Sequence, residues 1–128
     1  MDQSTQDQLF LAAIRACVHS YSPYSHFPVG AAVLAGSGKI YAGTNVENVS
    51  YGATMCAERV AIYNAISEGE TEILALAVYV HQEEGVMPCG MCLQVLSEFA
   101  GDIPVLVSGY AGMQSFTLNE LLPHRFKK

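Results

Sequence analysis

Eight successive residues, Ile73 to Val80, read Ile-Leu-Ala-Leu-Ala-Val-Tyr-Val. An apolar run of this length without alternation is the pattern of a strand buried on both faces, and such a strand requires a helical layer on each side. The flanking sequence supplies those layers. Leu9, Phe10, Ala13, Ile14, Cys17, Val18 and Tyr21 recur at helical spacing after a Ser4-x-x-Asp7 start that resembles a capping box. Residues 29–34 and 39–42 read as two strands joined by Gly36-Ser37-Gly38, and residues 56–67 as a helix stopped by Gly69. A third helix is expected over 89–99, ended by Gly101, followed by strands over 104–108 and 115–117. Thr117-Leu118-Asn119-Glu120 has the capping-box form and opens a short helix stopped by Pro123. The expected fold class is α/β: a three-layer α/β/α sandwich whose central mixed sheet is covered by helices, in one domain over 1–128.

The chain has 51% hydrophobic but only 14% charged residues, where about 25% charged is ordinary. A surface so short of charge favours an oligomer. The net charge is −6, and Arg15, Lys39, Arg59, Arg125, Lys127 and Lys128 form no central cluster, which argues against nucleic-acid binding. No apolar run reaches a membrane span and the N-terminus lacks a basic region followed by an apolar one, so a soluble cytoplasmic protein is expected.

Cys56-Ala57-Glu58-Arg59 and Pro88-Cys89-Gly90-Met91-Cys92 flank the apolar strand, with 32 residues between Cys56 and Cys89. Two cysteines at i and i+3 near a helix start, joined by a third from another helix, can converge on one tetrahedral Zn²⁺ and leave its fourth position open. A carboxylate two residues after the first cysteine is placed to handle a proton of water at such a site. Two other readings are a closed zinc site, which needs a fourth protein ligand, and a redox pair at Cys89 and Cys92, which leaves Cys56-x-Glu58 unexplained. Cys17, on the apolar stripe of the first helix, reads as a small core residue. The four histidines show no ligand spacing.

Cys-Ala-Glu-Arg followed by Pro-Cys-Gly-x-Cys resembles the signature of the cytidine deaminases, small nucleoside-acting members of the zinc deaminase superfamily, with cysteine in the superfamily's histidine position. The resemblance runs from about Tyr21 to Phe126. It implies one Zn²⁺ per chain on Cys56, Cys89 and Cys92, and hydrolytic deamination of cytidine or deoxycytidine to the uridine nucleoside plus ammonia. Zinc-activated water attacks C4 while Glu58 shuttles the proton. It further implies that Asn45 and Glu47 hold sugar hydroxyls, that Phe27 packs on the base, that Ala57 contacts substrate, and that Arg59 lies against the ligand sulfurs. Similar enzymes are homotetramers in which a phenylalanine near the C-terminus reaches a neighbour's site, and Phe126 occupies the matching place. Where the family usually continues Cys-Arg-Gln, this chain has Cys92-Leu93-Gln94, so one positive charge is missing near the thiolates. Glu47 disfavours a phosphate beside it, so the expected substrate is a nucleoside. The alternatives are a deaminase of a modified cytidine or nucleoside antibiotic, and a zinc-stabilised binding module without turnover.

Overall fold

The computed structural model describes residues 1–128. Its elements, in chain order, are α1 (Gln3–Cys17), β1 (Val29–Ala35), β2 (Ile40–Thr44), α2 (Ala57–Ser67), β3 (Ile73–Val80), α3 (Gly90–Phe99), β4 (Pro104–Gly109), β5 (Gly112–Thr117) and α4 (Leu118–Leu121). A single turn of 3-10 helix, Tyr51–Ala53, precedes α2. The five strands form one sheet in the order β2-β1-β3-β4-β5. Only β3 and β4 run parallel, so the sheet is mixed.

The apolar run is the central strand, and its alternating side chains divide between two cores. Leu76 and Val78 pack with Ala31 and Val33 of β1, Ala61 and Ile62 of α2, and Leu93 and Leu96 of α3. Ala75, Ala77 and Tyr79 face the other way, onto Leu9, Ala13 and Cys17 of α1. Small alanines on that face let α1 lie close, whereas the larger residues on the first face fill the space beneath α2 and α3. Leu76 and Leu96 are wholly buried, and truncating either to alanine would cost about 2–5 kcal/mol. Gly43 gives α2 its close seat on β2, because a Cβ there would lie 2.5 Å from the Ala61 nitrogen. The result is the three-layer arrangement expected from sequence.

Three local expectations are corrected. The N-cap of α1 is Asp2, whose carboxylate accepts from the Thr5 N–H at 2.8 Å, and the Ser4-x-x-Asp7 box does not form. The same helix stops at Cys17 although the apolar stripe continues to Tyr21. Tyr21 instead joins the second strand's exit, its N–H donating to Asn45 O at 3.1 Å and its carbonyl accepting from Glu47 N–H at 2.9 Å. Strand β5 begins at Gly112, three residues early; it is a solvent-exposed edge strand with no apolar alternation to announce it. Elsewhere, Gly69 follows α2 with φ +96°, and Thr117 and Glu120 form both halves of the capping box. The third helix is followed by Ala100 in extended conformation before Gly101.

Candidate metal centre and nucleoside cavity

Helix α2 leads into the start of β3 and α3 leaves from its end, so both helices begin at the same edge of the sheet. Cys56 and Cys89 are their N-cap residues, both extended, and neither uses its side chain to cap its own helix. The two thiols turn toward each other with sulfurs 4.0 Å apart. Cys92, one turn into α3, is 3.4 Å from Cys89, and all three sulfurs lie within 4.8 Å of one another. A tetrahedral Zn²⁺ with bonds of about 2.3 Å needs sulfurs roughly 3.8 Å apart, so the three thiols fit that ion. Within the chain the cluster consists of these three sulfurs, with no histidine or carboxylate beside them.

The electrostatics of the corner favour thiolate. Cys56 accepts a hydrogen bond from Cys92 and another from an Arg59 guanidinium nitrogen at 3.3 Å, and these contacts bring its thiol down to about 5 against the opposition of burial. The same sharing, with burial, pushes Cys92 up, so within this pair the negative charge settles on Cys56 beside Arg59. Two helix N-termini add positive partial charge. Arg59 Nε is buried and has no hydrogen-bond partner, so the side chain is held here for its charge and its contact with sulfur. Leu93 stands where resembling sequences carry a second arginine, and it is buried in the core beneath α3. Arg59 is therefore the guanidinium in contact with the sulfurs.

Glu58 follows two residues after Cys56 on the first turn of α2 and is 6% exposed. Burial pushes its carboxyl up to about 7, the Cys56 charge adds to the shift, and its own backbone N–H and Arg59 oppose it. A bound divalent cation pulls the carboxyl the other way. Glu58, Cys56 and Cys89 line one cavity of ≈ 270 Å³, and Phe27, Asn45, Glu47 and Ala57 line it too. The structure thus brings together in one wall every site residue named from sequence except Cys92, Arg59 and Phe126. Cys92 and Arg59 lie behind that wall in contact with its thiols.

The far end of the cavity is built by hydrogen bonds across the chain. Asn45 is 8% exposed; its Oδ1 accepts from Ser20 Oγ at 2.5 Å and from Val29 N–H at 3.0 Å, and its Nδ2 donates to Phe27 O at 2.9 Å. Glu47 Oε1 accepts from the N–H groups of Tyr24 and Ser25 at 2.9 and 3.1 Å, and Oε2 accepts from Ser25 Oγ. These bonds, led by the one from the Ser25 hydroxyl, hold the Glu47 carboxyl below its ordinary 4.5. His26, between Ser25 and Phe27, has φ +56°, a left-handed conformation uncommon outside glycine, and it swings the chain so that Phe27 meets the cavity. Sequence reasoning missed Ser25, Val29, Thr54, Met55, Val78, Val86 and Met87 in this lining. The position of Val86 and Met87 just before the Pro88-Cys89 motif was the available signal for those two.

Phe126 lies outside its own chain's cavity and is 72% exposed. It is nevertheless fastened: Gln94 of α3 donates to Phe126 O at 3.0 Å and accepts from Phe126 N–H at 3.3 Å, while Arg125 donates to Ala100 O at 2.9 Å just beyond that helix. A larger cavity of ≈ 650 Å³ surrounds these terminal residues but contains neither the thiols nor Glu58. No helix is long and apolar enough to cross a membrane.

Residues 3–108 match the family model of the cytidine and deoxycytidylate deaminase zinc-binding region. A cytidine deaminase of Sporosarcina psychrophila is 44% identical over 95% of this chain and 91% of its own length. The crystal structure of cytidine deaminase from Burkholderia pseudomallei superposes with a TM-score of 0.87 at 36% identity, covering 98% of this chain and all of that one. A blasticidin-S deaminase of Bacillus cereus is similar at 30% identity over 78% of this chain and 77% of its own. With the three-thiol corner, the buried glutamate and the mixed five-stranded sheet in place, these likenesses make the chain a member of the cytidine deaminase family, the zinc-binding hydrolases of nucleoside amines.

Proposed function

We propose that the chain hydrolyses cytidine and deoxycytidine to the corresponding uridine nucleosides and ammonia, with Glu58 carrying the protons. The observation that supports this most is a buried carboxyl set between a three-thiol cluster and a cavity of nucleoside dimensions. Cys56, Cys89 and Cys92 would hold the zinc, which when bound supplies a Lewis acid that makes water nucleophilic near neutral pH. Glu58 accepts a proton from the water that adds at C4 and returns it to ring N3. It then carries the second proton to the departing amine, so that water is consumed and ammonia leaves. A carboxyl that must accept and donate in one cycle works best when neither form is strongly favoured, and its burial serves that end. Phe27 and Ala57 give the pyrimidine an apolar seat.

Asn45 and Glu47 recognise one sugar hydroxyl. Both acceptor positions of Asn45 Oδ1 and one of its two N–H groups are already used, which leaves a single donor. Three of the four acceptor positions of Glu47 are used, which leaves a single acceptor. One donor and one acceptor bracket one hydroxyl group, so a second hydroxyl on the sugar is not required. Ribose and deoxyribose nucleosides therefore both qualify, and the ionised Glu47 turns away phosphate.

Phe126 completes the cavity of a neighbouring chain in a homotetramer. Support comes from its exposure on a doubly fastened backbone and from other uncovered apolar side chains, among them Val49 at 77%, Tyr51 at 76% and Met91 at 62%. The deciding experiment is ammonia release from a panel of cytidine, deoxycytidine, modified cytidines and blasticidin S by wild type and Glu58→Gln. Wild type is expected to prefer the two plain nucleosides. The Glu58→Gln variant is expected to keep its zinc and lose about 10²–10⁴-fold in kcat. Zinc-loaded Glu58→Gln protein with wild-type turnover would refute the mechanism, and a preference for blasticidin S or a modified cytidine would refute the substrate.

A further inference from the structure

Ser20 stands one residue before the bridge that joins Tyr21 to the exit of β2, in contact with the buried amide of Asn45. Its hydroxyl has one proton, and an amide oxygen can only accept, so at 2.5 Å that proton belongs to Asn45 Oδ1. Ser20 Oγ is also 3.1 Å from Ser22 Oγ, where Ser22 must then be the donor. The result is a one-way chain, Ser22 hydroxyl to Ser20 hydroxyl to Asn45 carbonyl. Hydrogen bonds donated in series polarise one another, and a polarised amide oxygen makes the N–H groups on the same amide better donors. The remaining Asn45 N–H is the one directed to substrate by the count of partners above.

Resting on the assignment of Asn45 and Glu47 to a sugar hydroxyl, we infer that Ser20, backed by Ser22, is a positioning residue for sugar recognition. It holds and polarises the Asn45 amide without touching substrate. The Val29 N–H and the Phe27 carbonyl already fix which way round the amide lies, so Ser20 sets the strength and placement of the free N–H and not its polarity. Losing the hydroxyl leaves a buried acceptor position unfilled and slackens Asn45 against the first helix's exit.

The test measures kcat and KM for cytidine and for its 2′-, 3′- and 5′-deoxy analogues, in wild type, Ser20→Ala, Ser20→Thr and Ser22→Ala, with Asn45→Asp and Asn45→Ala as references. Ser20→Ala is expected to raise KM for cytidine roughly three- to tenfold, the worth of one hydrogen bond, with kcat changed less. The penalty should vanish for the one deoxy analogue to which the Asn45 variants are also indifferent. Ser20→Thr keeps a hydroxyl and should retain the wild-type KM, and Ser22→Ala should show the same selectivity as Ser20→Ala at smaller size. A Ser20→Ala penalty that is absent, or equal for every analogue, overturns the role of Ser20. If the Asn45 variants themselves lose equally on all analogues, the hydroxyl assignment fails instead. Should Asn45→Ala not fold, Asn45→Asp, nearly equal in shape, carries the comparison.

Discussion

The two ends of the cavity are held by opposite kinds of construction. At the thiol end, each reactive group sits at or within one turn of a helix start, and its position follows from the helix to which it belongs. At the sugar end, Asn45 and Glu47 lie between regular elements, and side-chain bonds to residues 16 to 25 positions away in sequence hold them. The first end gains its chemistry from charge collected at two helix N-termini. The second gains its selectivity from how much hydrogen-bonding capacity the fold leaves unspent. Loss of a thiolate at the first end should therefore act on metal and turnover together, loss of the Glu58 carboxyl on turnover with the metal kept, and a substitution at the second end mainly on KM.

The largest effect is expected for Cys89→Ser and Cys92→Ser, each of which removes a whole thiolate ligand. Zinc measured by elemental analysis should fall from one per chain to near none, and activity with it. Full zinc and activity in either variant would dissolve the proposed thiol end. Next in size is Arg59→Gln, which removes the guanidinium 3.3 Å from Cys56. A group that supports a ligand without binding metal is worth about 10–100-fold in metal affinity or activity, so zinc retention against a competing chelator should weaken by that order. Unchanged retention would mean that the helix starts suffice to balance the thiolates.

A smaller effect is expected at the shared wall. Phe126→Ala should raise KM severalfold with zinc content unchanged, because an aromatic contact on the pyrimidine is worth roughly 1 kcal/mol beyond its area. Mixing Phe126→Ala with Glu58→Gln chains should restore activity above the mean of the two parents. A mixture that stays at the mean, or an active monomer in sedimentation, would place Phe126 outside the site.

The smallest effect concerns pH. The Glu47 carboxyl is held below its ordinary 4.5 in the folded chain, so its bonds contribute stability that is fully present above that value and fades as pH falls toward the folded one. The melting temperature of Glu47→Gln should therefore lie below wild type at neutral pH and converge with it below about pH 4.5. A constant gap across that range would show that Glu47 does not act as a carboxylate clamp on the Tyr24-Ser25 turn.

Cys56, Cys89, Cys92 and Glu58 were legible because short spacings on helices translate directly into geometry, and the apolar run at Ile73–Val80 made the layers legible in the same way. Tyr21 misled, since its apolar side chain continues a helical stripe while its backbone is claimed by residues 45–47. Strand β5 is longer than its sequence pattern suggests because an exposed edge strand needs no apolar alternation. In the sequence Leu93 reads as a missing charge, and only its burial shows it to be core.

By itself, then, the sequence determined the sheet's central strand, the two helix starts that bear the thiols, and the carboxyl beside them, because these depend on neighbours a few residues apart. The tertiary structure alone decided that Glu58 is desolvated, that Asn45 and Glu47 have one donor and one acceptor left for a ligand, and that Ser20 stands behind Asn45. Those properties are set by which groups from distant segments occupy the same space, and desolvation and hydrogen-bond saturation exist only once that space is filled.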